Sequence, residues 1–146
     1  MRLNRAEIAG LIPHAGAMCL LDEILRFDER SIVCRTSSHR SPDNPLRCDG
    51  RLPACTAIEY GAQAMAAHGA LHAAPVPQVQ AGLLAGARAL RLSVRFLDDE
   101  PGPLTVRAER LVEEGGRLLY AFAVEAAGRE LATGRIAVVL RPNTAR

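Results

Sequence analysis

Lysine is missing altogether: in 146 residues the chain carries 18 basic side chains, and every one is arginine. So uniform a choice points to coding bias rather than to a function. Tryptophan is absent too and aromatics make up 3%, so alanine, leucine and valine must fill the core. No run approaches the roughly 20 apolar residues that a bilayer span requires. The most apolar stretch, residues 57–74, is interrupted by Glu59, Gln63, His68 and His72. The N-terminal MRLNRAEIAG lacks the continuous apolar segment of a secretion signal. Four cysteines (Cys19, Cys34, Cys48, Cys55) form no CxxC pair, the pattern of free thiols in a cytosolic chain. These absences lead to a cytoplasmic protein with no membrane partner. The net charge is +2, with 18 basic against 16 acidic residues. That balance gives no basis for a nucleic-acid partner.

What is present suits one domain spanning residues 1–146. Asn4 followed by Glu7 resembles a capping box, so residues 5–10 are expected to form one helical turn. Residues 17–27 and 31–37 read as strands joined by the polar turn Asp28-Glu29-Arg30. The segment from His39 to Pro53, with three prolines, reads as an irregular loop. Residues 54–73 form the one long helix, about 30 Å at 1.5 Å per residue, ended by Pro75-Val76-Pro77. Ala57, Gly61 and Ala64 give it a face almost without side chains, and Ile58, Ala62 and Met65 an apolar flank. A helix apolar nearly all round is expected to be buried.

The second half reads as strands. In residues 88–97, Leu90, Leu92, Val94 and Phe96 alternate with polar residues in the period of a half-buried strand. Residues 104–112 and 117–126 flank the hairpin signal Gly115-Gly116, and residues 130–140 follow Gly128. One long helix covers six strands only if the sheet curls around it. The expectation is an α+β fold of the hot-dog type, an antiparallel sheet wrapped around one central helix.

Several side chains are placed to carry chemistry. Glu59 and Gln63, spaced i, i+4, share a helix face near Thr56. An unpaired buried carboxylate costs several kcal/mol, and burial favours its protonated, proton-donating form. Thr56-x-x-Glu59 is equally a capping box, which would give Glu59 a structural reason to be there. His14, beside Pro13, is by residue type a general base but by position more commonly a structural residue. His68 and His72 have a spacing that suits a metal, yet no third ligand is signalled and a helix C-terminus favours histidine, so the structural reading is preferred. Cys55 reads as a small packing residue, and Arg88 as an exposed arginine open to an ion pair or a carrier protein.

Taken together these residues resemble a family. Leu11-Ile12-Pro13-His14 followed by Met18-Cys19-Leu20-Leu21-Asp22 is similar to the N-terminal signature of β-hydroxyacyl-acyl carrier protein dehydratases. Pro53 followed by Ala57-Ile58-Glu59-Tyr60-Gly61-Ala62-Gln63 resembles their helix signature. Gly82-Leu83-Leu84-Ala85-Gly86-Ala87-Arg88 is similar to a segment of the aryl polyene biosynthesis subgroup. The resemblance implies dehydration of 3-hydroxyacyl thioesters on an acyl carrier protein to trans-2-enoyl thioesters. It uses no cofactor and no metal, and the site is formed between two subunits of a homodimer or a heterodimer with a related dehydratase. It implies Glu59 as the acid, with substrate contacts at Gln63, Ala57, Gly61, Gly86 and Arg88. Backbone N–H groups at the start of the helix would polarise the thioester carbonyl, and the small face would leave room for an acyl tunnel or a second subunit.

One departure bears on the base. The family histidine lies in a His-Phe-Pro-Gly segment before the helix, where this chain has Asp49-Gly50-Arg51-Leu52-Pro53. His14 is the expected replacement. Two other readings stay open: a catalytically silent partner subunit, and a hot-dog acyl thioesterase in which Glu59 activates water.

Overall fold

The computed structural model describes residues 2–12, 16–72 and 81–141. The first strand, β1 (Leu3–Asn4), runs into a short helix, α1 (Arg5–Ala9), and two strands follow, β2 (Glu23–Phe27) and β3 (Ser31–Thr36). The central helix α2 (Ala57–His72) comes next, then β4 (Ala81–Leu92), β5 (Leu104–Glu114), β6 (Arg117–Ala126) and β7 (Arg129–Arg141). The strands form one antiparallel sheet in the order β1-β2-β3-β5-β6-β7-β4, and α2 packs against β3, β5, β6 and β7. This is the hot-dog arrangement expected from the sequence.

The capping box at α1 is present in both directions. Asn4 Oδ1 accepts from the Glu7 N–H at 2.9 Å, and Glu7 Oε1 accepts from the Asn4 N–H at 3.0 Å. The β2–β3 turn is closed by Asp28, whose carboxylate accepts the backbone N–H groups of Arg30 and Ser31 at 2.9 and 2.8 Å. Those donors hold the Asp28 carboxyl below its ordinary value. Gly115, Gly116 and Gly128 all have positive φ, so the two hairpin turns are built where the glycines signal them.

Three expectations need correction. Of residues 17–27 only Glu23–Phe27 is strand; Gly16–Met18 is a 3-10 turn and Cys19 to Asp22 run outside the sheet. The proposed strand 88–97 starts at Ala81 and ends at Leu92, and Leu90 and Leu92 are exposed rather than half-buried, because β4 is an edge strand. The helix opens with a separate 3-10 turn, Ala54–Thr56.

The core lies between α2 and the inner face of the sheet. Ile32, Ala108, Phe122 and Gly134 form one cross-strand row of that face. Phe122 is thus flanked by two small residues and sits under Gly61 of the helix. A Cβ at Gly61 would lie 2.5 Å from Phe122 Cγ, and one at Gly134 would lie 2.8 Å from Phe122 Cε1. Both glycines are there because the ring takes the space that side chains would need. Burying a ring of that size stabilises by about 1.5–3 kcal/mol, and the close helix approach follows from it.

Candidate active site

Segment 18–21 is the unusual part of the core. Cys19, Leu20 and Leu21 are buried but not in the sheet. Their backbone polar groups must find partners elsewhere, and side chains supply them. The Leu20 N–H donates to Gln63 Oε1 at 2.9 Å, and Gln63 Nε2 donates to the Met18 carbonyl at 2.6 Å. The Leu20 carbonyl accepts from Thr36 Oγ1 and, at 2.7 Å, from Ser38 Oγ. Gln63 is fully buried on α2, and its remaining amide proton reaches Glu59 Oε1 at 3.3 Å. The candidate acid is therefore tied, through one amide, to the backbone of the N-terminal signature.

Glu59 itself is half-buried, on a stripe of α2 with the half-buried Ile58, Ala62 and Ala66. The capping-box reading of Glu59 does not describe this helix start. Thr56 donates both its N–H (3.0 Å) and its Oγ1 (2.7 Å) to the Pro53 carbonyl. The helix start expected to polarise a carbonyl already commits three amides: Ala54 N–H to Arg95, Thr56 N–H to Pro53 and Ala57 N–H to Ala54.

Ala57 and Gly61 do not join Glu59. At 3.6 residues per turn Gly61 lies about 160° round the helix from Glu59, and both small residues are buried against the chain's own sheet. The expected opening along Ala57, Gly61 and Ala64 is closed at Gly61 by Phe122, and Ala57 and Ala64 are buried. Gly86 and Arg88 stand on the exposed edge strand. Arg88 pairs across to Arg135, one residue beyond the inward Gly134, so it faces away from α2 and within one chain is not brought to Glu59. His14 lies outside the described residues. Cys55 is exposed, not packed.

The stretch standing in for the family histidine is a tight turn. Asp49 and Gly50 have positive φ, and Cys48 and Arg51 bridge. Arg51 turns away to Asp98 and Asp99 at 2.9 and 2.6 Å and lies 4.0 Å over the Phe96 ring. Its guanidinium is held by loop carboxylates, which raise its already high value.

At the other end of α2, His68 and His72 converge on one acceptor. Their Nε2 atoms lie 2.9 and 2.7 Å from the Asp28 carbonyl, and His68 Nδ1 takes the Tyr120 hydroxyl. Both imidazoles thus pin the β2–β3 turn to the helix, a structural use and not a ligand set. Burial lowers His68 and pushes Tyr120 up to about 12.

Sequence reasoning missed Tyr60, Ser38, Asn44 and Thr36. Tyr60 is fully buried, with its hydroxyl 2.9 Å from Ser38 Oγ and 3.1 Å from Asn44 Nδ2, and burial raises it above the ordinary phenol value. A lone tyrosine in a helix of small residues was the available signal. A depression of about 520 Å³ opens on the sheet around Val33, Arg107, Ala121, Ala123 and Arg135, and Glu59 does not line it.

The model of the ApeP-like family, described as ApeP dehydratase, matches residues 6–146. The chain belongs to this dehydratase family. Among solved structures it is similar to the dehydratase heterocomplex ApeI:P from Xenorhabdus doucetiae, at 24% identity and a TM-score of 0.78, covering 92% of this chain and 90% of that one. A thioesterase from Haemophilus influenzae aligns at 12% identity and a TM-score of 0.69, over 99% of this chain and 94% of that one. A mutant thioesterase from Pseudomonas aeruginosa aligns at 13% identity and a TM-score of 0.67, over 96% and 95%. At these identities the structures speak for the fold. No curated protein sequence matches the chain. No helix among the described residues is long and apolar enough to cross a membrane.

Proposed function

We propose that the protein dehydrates 3-hydroxyacyl thioesters carried on an acyl carrier protein, working as one subunit of a dimer in the cytoplasm. The observation that carries this reading is the Glu59 carboxyl, hydrogen-bonded by a buried amide on a half-open stripe of the central helix, in a chain of the dehydratase family. A base removes the C2 proton and its electron pair forms the C2=C3 bond. The C3 hydroxyl leaves as water with the proton that Glu59 supplies. His14 is the base in this scheme. Gly86 and Arg88 are exposed on β4, and any contact they make with substrate is made across subunits.

A second subunit is supported by two surfaces. The stripe of Ile58, Ala62 and Ala66 beside Glu59 is apolar and only half covered. The edge strand β4 exposes Leu90 and Leu92 and, among the described residues, has a strand neighbour on one side alone, a template for strand addition. The related Xenorhabdus structure is a heterocomplex, which makes a related dehydratase the first partner to try.

The test is an assay of the chain alone and mixed with a related dehydratase, on 3-hydroxyacyl and saturated acyl thioesters of a carrier protein. Enoyl product that falls about 10²–10⁴-fold in Glu59→Gln supports the reading, the usual range for a positioned acid. Unchanged turnover in that variant rejects it, and free thiol from the saturated substrate would assign a thioesterase instead. The silent-subunit reading is favoured by one observation, the Asp49–Arg51 turn in place of a family histidine. Activity confined to the mixture, and unaffected by Glu59→Gln or His14→Ala in this chain, would establish it.

A further inference from the structure

Leu20 is held at both its backbone groups by side chains, and the two grips return to neighbouring residues of α2. On the amide side, Leu20 N–H donates to Gln63 Oε1, and Gln63 Nε2 donates to Glu59 Oε1 and to the Met18 carbonyl. On the carbonyl side, Leu20 accepts from Thr36 Oγ1 and, at 2.7 Å, from Ser38 Oγ. Ser38 Oγ also lies 2.9 Å from the Tyr60 hydroxyl and 2.9 Å from Thr36 Oγ1, and the Tyr60 hydroxyl accepts from Asn44 Nδ2. The circuit therefore runs Glu59, Gln63, Leu20, Ser38, Tyr60 and closes on the residue next to Glu59. Every polar atom of the Gln63 amide is committed inside the chain, so the amide has no proton left for a substrate.

We infer that Gln63, Ser38 and Tyr60 are positioning residues that hold the Glu59 carboxyl in register with the backbone of the N-terminal signature. This rests on Glu59 being the acid of the proposed dehydration. Gln63 thereby changes role, from the substrate contact expected from the sequence to a strut between acid and backbone. Tyr60 acts at one further remove. Its loss takes one of two hydroxyl partners from Ser38, weakens one of the two grips on the Leu20 carbonyl and is felt at Glu59 only through Leu20 and Gln63.

The experiment compares Tyr60→Phe, Ser38→Ala and Gln63→Leu in the active assembly, with amide hydrogen exchange at Leu20 alongside turnover. Tyr60→Phe removes one hydroxyl and keeps the ring, and Ser38→Ala breaks the same circuit from the other side. Each is expected to lower kcat about three- to tenfold with KM unchanged, the effect of one hydrogen bond. Each is also expected to speed exchange at Leu20 N–H, which neither side chain touches. Adding Tyr60→Phe to Gln63→Leu should lower kcat little further, because both act through one path.

Unchanged Leu20 exchange in both single variants overturns the circuit. Faster exchange with kcat unchanged reduces it to a packing device and overturns the positioning role. A Gln63→Leu variant that raises KM and spares kcat restores Gln63 as a substrate contact and overturns it too. The exchange readout needs no turnover, so a wild-type assembly without dehydration sinks the functional reading by a separate result.

Discussion

The two ends of α2 use the same device for different purposes. At each end a polar side chain of the helix reaches a backbone group of the β2 region: Gln63 to Leu20 and Met18, His68 and His72 to Asp28. At the N-terminal end the amide also holds a carboxyl that is half-open to its surroundings. At the C-terminal end the buried His68 is enclosed by Tyr120 and the turn, leaving no atom for a substrate or a metal. The residue type that suggests chemistry is histidine, yet the end with two histidines uses them as struts, and the proposed acid stands at the end that has none among the described residues. What a side chain does here is decided by how many of its polar atoms are already spoken for.

That contrast is open to test. The largest effect is expected from Glu59→Gln: turnover down about 10²–10⁴-fold with the thermal midpoint unchanged, measured by assay and melting on one preparation. A large fall in stability would erase the distinction between the ends. His68→Ala should do the opposite. It leaves the Tyr120 hydroxyl unpartnered and a cavity beside it, costing about 2–4 kcal/mol in urea unfolding, and folded protein should keep its turnover. On the opposite face of the helix from Glu59, Gly61→Ala forces a Cβ to 2.5 Å from Phe122 Cγ. Overpacking of this kind costs about 1–3 kcal/mol, and Phe122→Leu in the same chain should return part of it.

A smaller effect is expected from pH. Burial lowers His68, and it lowers His39, whose Nε2 contacts the Glu100 carbonyl. Both fold in the neutral form, so their contribution is fully present above the ordinary value of 6.5 and is lost as pH falls through the lowered folded values. Unfolding free energy should therefore drop from pH 7 towards pH 5, and His68→Gln should flatten that slope. An unchanged slope would mean that His68 does not report burial. Smallest of all, His72→Ala removes an exposed ring that shares its acceptor with His68, and should shift stability by no more than about 0.5 kcal/mol. A larger loss would make the two histidines equal partners in the clamp.

The sheet and helix were largely legible from the sequence because their signals are local. Gly115-Gly116 and Gly128 mark turns that only positive φ closes, and the run from Ala57 to His72 has no competing period. The first apolar stretch misled because residues 19–21 are as apolar as a strand. Their backbone partners, Gln63, Thr36 and Ser38, are remote in sequence, and no window around the segment contains them. Strand β4 was misplaced for a related reason: alternation at Leu90 and Leu92 reports a pleat, and burial depends on a neighbour that an edge strand does not have. Of the candidate site, the contact between Glu59 and Gln63 was readable from their spacing. The role of Ala57 and Gly61 was not, because smallness in a helix does not say which surface comes close.

Phe122, wedged between Gly61 and Gly134, ties three positions on three elements into one unit of inheritance. Relatives that keep the large ring are constrained to glycine at both of the other places. A lineage that trims the ring is released to add a methyl group on the helix, on the strand, or on both. Substitutions at these three positions should therefore travel together among descendants of this chain, though they lie 61 and 12 residues apart in sequence, counting from Gly61 to Phe122 and from Phe122 to Gly134.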